Sequence, residues 1–436
     1  MRARRRAGCA ASLWPCRASM ARSVVDAPGG EDNNAVFPIG IAAMSNLKSR
    51  CSGAAWPDYQ GGGLLNLMQT LSWELGGPDL GYPPLATDVL AGIGHHRHVC
   101  LLLIDGLGAA QLRRLGPETR LNLRRRATLS SVFPPTTTAA VTTVLTGQPP
   151  ARHGLIGWHQ LHGEEIIAPL PLYVRQPAGS ASAPQQLADT LFSAPPLFEH
   201  FSRPAFLMLP EDICHSPCSR HHAGSSMRLP YRDSEDAFVQ LTARLYSPVP
   251  AFHYLYLRQM DTLMHEIGPD DEAAARLLAE LDGDFGRLLD AAKQNDAAVV
   301  AIADHGFVAA PAEQWLDVDE IPELYSLLAR PLSGETRMSY CHVKPGCMER
   351  FIELARARLG HACWVEPSAE LLAAGVFGPG PAHPDLAHRC GDVVLIAKPG
   401  WNLRDTLPGE RKLQLAGTHA GVHPDEMEIP LIVYRP

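Results

Sequence analysis

The 436-residue sequence predicts an α/β fold: a three-layer α/β/α sandwich around a mostly parallel central sheet, with a smaller α/β subdomain inserted late in the chain. Three observations carry this expectation. Apolar runs over residues 98–105, 251–261 and 297–304 each close on an aspartate, as parallel strands buried on both faces do. Between the second and third runs, Leu277, Leu278, Leu281, Phe285, Leu288 and Leu289 recur at helical spacing, so a core-facing helix is predicted over 270–295. From 307 to 390 the alternation changes to a strand-like MSYCHV, a helical MERFIELARARLG and a Pro/Gly-rich FGPGPAHPD, which reads as an insertion.

Taken in order, residues 1–56 begin with Arg2, Arg4, Arg5, Arg6, Arg17 and Arg22 before the first acid, Asp26. No apolar segment of signal-peptide type follows, Met20 and Met44 are alternative starts, and this extension is expected to be disordered. Organised sequence begins near Trp56, giving a catalytic core over 57–306 plus 391–436 and an inserted subdomain over 307–390. A loop feeds a helix in YQGGGLLNLMQTLSWELGG, and a second helix is predicted over 184–201. Residues 211–234 read as a polar loop, GDVVLIAKPGW as the return to the main sheet, and IPLIVYRP as its last strand.

Composition narrows the function. A net charge of −8 gives no global basic surface, so a nucleic-acid polymer is not an expected partner, whereas a small phosphate ester is. No stretch reaches the roughly 18 to 20 apolar residues that span a bilayer, so a soluble protein is expected. The ten scattered cysteines do not form a disulfide framework and point to a reducing, cytoplasmic location. Cys214, Cys218, His215, His221 and His222 cluster in DICHSPCSRHH but lack a second well-spaced ligand pair for a metal.

The chemistry gathers around SVFPPTTTAAVTTVLTGQPPARHGLIG, residues 131–157. Its prolines stop one element and its small residues start a helix, whose N-terminus carries Thr136, Thr137 and Thr138. Free backbone N–H groups there favour an anion, and a hydroxyl held among them could attack it. One aspartate at a strand end is usually a cap, but Asp105, Asp261 and Asp304, with His265 and His305 nearby, suggest a shared polar site. His419 stands in a late Gly-rich loop. Carboxylate and imidazole suit Zn²⁺ and other divalent transition metals. A pair of ions about 3.5 to 4 Å apart can clamp both oxygens of a phosphoryl transfer.

The ordered set IDGLG, FPPTTTAAVTTVLTG with PPARHG, MDTLMHEIGP, ADHG and GTHAG resembles the alkaline phosphatase superfamily, and within it the type I phosphodiesterase and nucleotide pyrophosphatase family. The resemblance covers residues 57–436. It implies that Asp105, Asp304, His305 and the hydroxyl of Thr137 bind one divalent ion, and Asp261, His265 and His419 a second, Zn²⁺ being favoured over Mn²⁺. The family's nucleophile lies four residues after Phe133 and nine before Thr146, which is Thr137.

The implied function is metal-dependent hydrolysis of phosphodiester or pyrophosphate bonds in nucleotide-like substrates. The alternatives are a phosphomonoester, phosphonate or sulfate ester hydrolase, or a non-catalytic metal-binding relative. Two positions depart from the family pattern. Trp158 stands where nucleotide pyrophosphatases carry an Asn, and Ala139, Ala140 and Val141 replace the Pro-Asn-His of many nucleotide-cleaving members. His153 reads as a turn residue and His423 as a surface histidine, or as a substitute ligand in another loop register.

Overall fold

Unbroken apolar runs have no solvent face to offer, so they belong at the centre of a covered sheet. The computed structural model, which describes residues 40–175 and 184–436 with the side chains of 184–186 excepted, places them there. The main sheet has the order Arg125–Ser130, Glu428–Tyr434, Ala297–Ile302, His98–Ile104, Ala251–Leu257, Ala205–Pro210, Met227–Tyr231. Every residue of the three middle runs, 297–302, 98–104 and 251–257, is buried. Glu428–Tyr434 runs antiparallel to both of its neighbours, and the remaining pairs are parallel.

Helices complete the three layers. Leu64–Glu74 packs on Thr137–Thr146, and Ser234–Arg244 packs on Glu272–Gln294. The last of these starts where Asp271 accepts the Ala273 N–H at 2.7 Å, and it buries Leu278, Leu281, Phe285, Leu288 and Leu289. Full burial of such a side chain contributes about 1.5–3 kcal/mol, enough to fix which face turns inward.

A second, four-stranded antiparallel sheet has the order Ser333–Gly334, Met338–Cys341, Val393–Ala397, Cys363–Pro367 and carries its own apolar cluster around Phe351, Val393 and Leu395. The run 393–397 was expected to rejoin the main sheet. It pairs here instead, and the main sheet resumes only at Glu428. Nothing in an apolar pentapeptide distinguishes one buried sheet from another.

Other expectations are corrected as well. The strand read over 251–261 stops at Leu257, and Asp261 lies in the first turn of the helix Gln259–Ile267. The helix read over 184–201 ends at Leu191, before Pro195 and Pro196, with a short 3₁₀ turn at Phe198–His200. The supposed loop 211–234 contains the helix Pro217–Ala223 and the edge strand Met227–Tyr231. Within the extension expected to be disordered, Ile41–Arg50 is a helix packed on Ser368–Ala374, while the arginines before Asp26 and Met20 lie outside the described residues.

The second sheet meets the loop after the Thr137 helix at a glycine contact. Gly334 N–H donates to His159 O at 2.6 Å, and His159 N–H returns a bond to Gly334 O at 3.1 Å. A Cβ on Gly157 would lie 2.9 Å from Gly334 Cα, so only glycine permits this approach. The hairpin tip at residues 335–337 is thereby set against the loop that follows the Thr137 helix.

Candidate active site

The carboxyl ends of three adjacent central strands converge on one point, the edge at which open α/β sheets bind ligands. Asp105 follows strand 98–104 directly, and its N–H donates to Leu257 O at 2.8 Å. Asp304 follows strand 297–302, and its Oδ1 accepts from the N–H groups of Gly106 at 3.1 Å and His305 at 3.0 Å. Asp261 arrives one helical turn ahead of His265, so the D-x-x-x-H spacing puts both on one face, with Nε2 of His265 3.3 Å from Asp261 Oδ1.

Of the threonine triplet, only Thr137 is partly open to solvent; Thr136 and Thr138 are buried. Thr137 Oγ1 lies 3.2 Å from His305 Nε2 and 3.5 Å from Asp105 Oδ1. His305 Nε2 is in turn 3.3 Å from Asp105 Oδ1 and 3.4 Å from Asp304 Oδ2. His419 stacks on His305 with ring centroids 3.7 Å apart, and its Nε2 is 3.8 Å from Asp261 Oδ1. All seven residues singled out in the sequence therefore come together.

Among the described residues, two groups can hold a metal ion: Asp105, Asp304 and His305, and Asp261, His305 and His419. His305 is common to both. His265 stands outside these triads but adjoins the second, its ring 5.1 Å from that of His419.

Three features show that the donor set fits cations. The Nδ1 atoms of His265, His305 and His419 rest against the carbonyls of Gly417, Gly306 and Pro135 at 2.9, 3.1 and 3.3 Å. Donation from Nδ1 leaves each Nε2 with a lone pair aimed into the site. Asp261 Oδ1 and Asp304 Oδ2 are buried without a hydrogen-bond partner. Finally, Asp105 is 1% and Asp304 0% exposed.

Burial, then the Asp261 charge, pushes the Asp105 carboxyl up to about 8, and burial with Asp105 beside it pushes Asp304 well up. Two such charges about 4 Å apart repel by about 4 kcal/mol at an effective dielectric near 20, a repulsion that bound cations reverse. Burial, with His305 and His265 alongside, keeps His419 well below the usual imidazole range and hence neutral, the state a metal requires. His265 moves the other way: burial opposes the proton, but the Asp261 carboxylate outweighs it.

Two neighbours had no signal in the sequence. Tyr256 O–H donates to Asp105 Oδ2 at 2.5 Å and orients it. Glu335, at the hairpin tip, accepts from Thr136 Oγ1 at 2.5 Å and from the Trp158 N–H at 2.7 Å. The Trp158 side chain is 40% exposed and faces a cavity of about 340 Å³, with Tyr173, Arg175 and Glu335 also in its wall.

The remaining histidines have structural partners. His153 is buried, accepts the Leu155 N–H at 3.1 Å and meets Thr143 Oγ1 at 3.2 Å. His423 caps the helix Pro424–Met427 by accepting the Asp425 N–H at 3.1 Å. Cys218 Sγ contacts His222 Nδ1 at 3.4 Å, but the DICHSPCSRHH stretch is not among the metal-capable groups of the described residues.

This sheet, with acids and imidazoles converging at its central carboxyl edge, is that of a hydrolase of the alkaline phosphatase superfamily. The model of the type I phosphodiesterase / nucleotide pyrophosphatase family matches residues 99–421, well over half of the sequence, and the chain belongs to that family. Its members depend on metal ions, and the two ligand groups are where this chain can hold them.

No curated protein matches the sequence. Among solved structures, an inactive form of murine ectonucleotide pyrophosphatase/phosphodiesterase 5 in complex with AMP is similar with a TM-score of 0.56 at 16% identity, over 77% of this chain and 87% of that one. The human enzyme of the same name gives 0.57 at 17%, over 78% and 88%. Phosphonoacetate hydrolase from Sinorhizobium meliloti in complex with phosphonoformate gives 0.57 at 17%, over 78% and 90%. At these identities the likeness is one of fold. Among the described residues no helix is long and apolar enough to cross a membrane.

Proposed function

We propose that the protein hydrolyses phosphodiester or pyrophosphate bonds of small, nucleotide-like substrates through Thr137, with two divalent cations, Zn²⁺ ahead of Mn²⁺. Asp105, Asp304, His305 and the Thr137 hydroxyl would hold one ion, and Asp261, His265 and His419 the other. The single observation that carries the reading is the Thr137 hydroxyl, open to solvent at a helix N-terminus and within 3.5 Å of both Asp105 and His305. When bound, the ions supply Lewis-acid stabilisation of the attacking and leaving oxygens.

The chain's own groups account for the rest. Thr137 Oγ1 gives up its proton to solvent water and forms a bond to phosphorus as the bond to the leaving oxygen breaks. That oxygen departs with its ester group and takes up a proton from solvent, and the substrate's phosphoryl group becomes esterified to Thr137. Water then cleaves that ester and restores the hydroxyl. The start of the helix Thr137–Thr146 would favour an anionic phosphoryl group beside the hydroxyl, and Tyr256 keeps Asp105 in its working orientation.

The fold shared with phosphonoacetate hydrolase supports a second reading, cleavage of a phosphonate by the same groups. A cytoplasmic location belongs to the same proposal, supported by eight described cysteines that are all unpaired. The test is metal content and diester hydrolysis for the wild type and Thr137→Ala. The variant is expected to keep its metal-binding carboxylates and lose at least about 10³-fold in turnover. Wild-type activity in the variant would remove Thr137 as the nucleophile.

A further inference from the structure

Glu335 is a carboxylate beside the nucleophile loop that neither ligand group uses. It sits at the tip of the hairpin formed by Ser333–Gly334 and Met338–Cys341, where Glu335 and Met338 exchange backbone hydrogen bonds of 2.7 and 3.2 Å. Gly334, at φ +91°, makes that turn, and its contact with the Trp158 loop holds the tip in place. Oε1 takes the Thr136 hydroxyl and the Trp158 N–H, two donors that would otherwise be free to bind an oxygen of a phosphoryl group. Among the described residues Oε2 has no hydrogen-bond partner, and Glu335 forms part of the wall of the cavity that Trp158 also lines.

Among the described residues no ion pair is made to this carboxylate, although the exposed Arg411 also lines the cavity. Arg175 in the same wall is committed to Asp405 and Glu410, each at 2.9 Å, and Arg404 to Asp317 at 2.7 Å. The imidazoles nearest in influence to Glu335 are those of His265 and His305, both candidate metal ligands. Burial pushes the carboxyl up to about 7, against the pull of its two hydrogen bonds.

We propose, building on the function above, that Glu335 determines substrate charge. Its carboxylate disfavours a doubly charged phosphomonoester at Thr137, while the cavity under Trp158 accepts the second ester group of a singly charged phosphodiester. Repulsion from one fixed carboxylate scales with the charge brought to it, so a dianion is penalised about twice as heavily as a monoanion. An ionised carboxylate has no proton to offer a phosphate oxygen. The Trp158 face and the Tyr173 ring give the second ester group an apolar wall to lie against, in a cavity of about 340 Å³.

The test compares zinc-loaded wild type, Glu335→Gln and Glu335→Ala. Glutamine retains an oxygen that can accept from Thr136 and Trp158 and removes only the charge. Calorimetric titration at alkaline pH with inorganic phosphate and with dimethyl phosphate reads the charge effect without turnover. Glu335→Gln is expected to tighten phosphate by about tenfold and to change dimethyl phosphate far less. The ratio of kcat/KM for a monoester to that for a diester with the same leaving group should rise in parallel.

An unchanged phosphate affinity in Glu335→Gln would overturn the proposal. So would an effect confined to Glu335→Ala, which would make Glu335 a support for the loop alone. If Glu335→Ala fails to fold, the Glu335→Gln comparison still decides. If the wild type turns over neither ester, the proposed hydrolysis falls, while the phosphate titration continues to judge Glu335.

Discussion

The three histidines of the site share a device: a backbone carbonyl holds Nδ1, so Nε2 carries the lone pair inward. His419 shows how much depends on it, since its ring lies against His305 and its Nε2 lies 3.8 Å from Asp261. His419→Ala is therefore expected to lower bound metal from two equivalents toward one and to reduce turnover at least tenfold, as read by elemental analysis and diester hydrolysis. Retention of both ions would remove His419 from the ligand set. Asp105, Asp304 and His305 were legible because each stands where a buried apolar run stops. Asp261 was legible as a candidate but misplaced, because the run Ala251–Leu257 gives way to a helix before reaching it. Tyr256 and Glu335 were not legible: Tyr256 meets Asp105 across 151 residues, and Glu335 meets Thr136 across 199, contacts that local pattern does not encode.

At the level of elements, the hairpin tip 335–337 serves both halves of the site. Glu335 braces the nucleophile loop, while two residues on, Arg337 is fully buried and clasps Glu426 at 2.6 and 2.8 Å. Glu426 in turn accepts the N–H groups of Gly421 at 2.8 Å and His423 at 3.2 Å, so the loop carrying His419 is fastened to the second sheet. Removing one partner of a buried pair leaves an uncompensated charge. Arg337→Ala is expected to cost about 3–5 kcal/mol in urea unfolding of the full chain, and a loss below about 1 kcal/mol would show that the clasp is not structural. The strand that supports this tip, Val393–Ala397, is the one the sequence assigned to the other sheet. Its apolar pentapeptide is compatible with either, and only pairing with Met338–Cys341 decides.

For the whole molecule, the order of the central sheet explains why acids from distant parts of the chain meet. Strand 98–104 lies between 251–257 and 297–302, all three parallel, so their carboxyl ends deliver Asp105, Asp261 and Asp304 to one edge. The mostly parallel sandwich was legible from three apolar runs; the edge strand 227–231 was not, since its residues are largely polar or half-exposed. Gathering buried carboxylates in this way destabilises the metal-free fold and makes bound metal a source of stability. With free Zn²⁺ at about 100 times its dissociation constant, the gain is about 2.7 kcal/mol. Chelation should therefore lower the Tm, and restored Zn²⁺ should raise it again; a Tm indifferent to chelation would contradict the metal assignment. The central claim, attack by Thr137, is tested most directly by quenching turnover of an isotopically labelled diester in acid and mapping the labelled peptide by mass spectrometry. The phosphoryl label is expected to be ester-linked to Thr137, and label on any other residue would contradict attack by that hydroxyl.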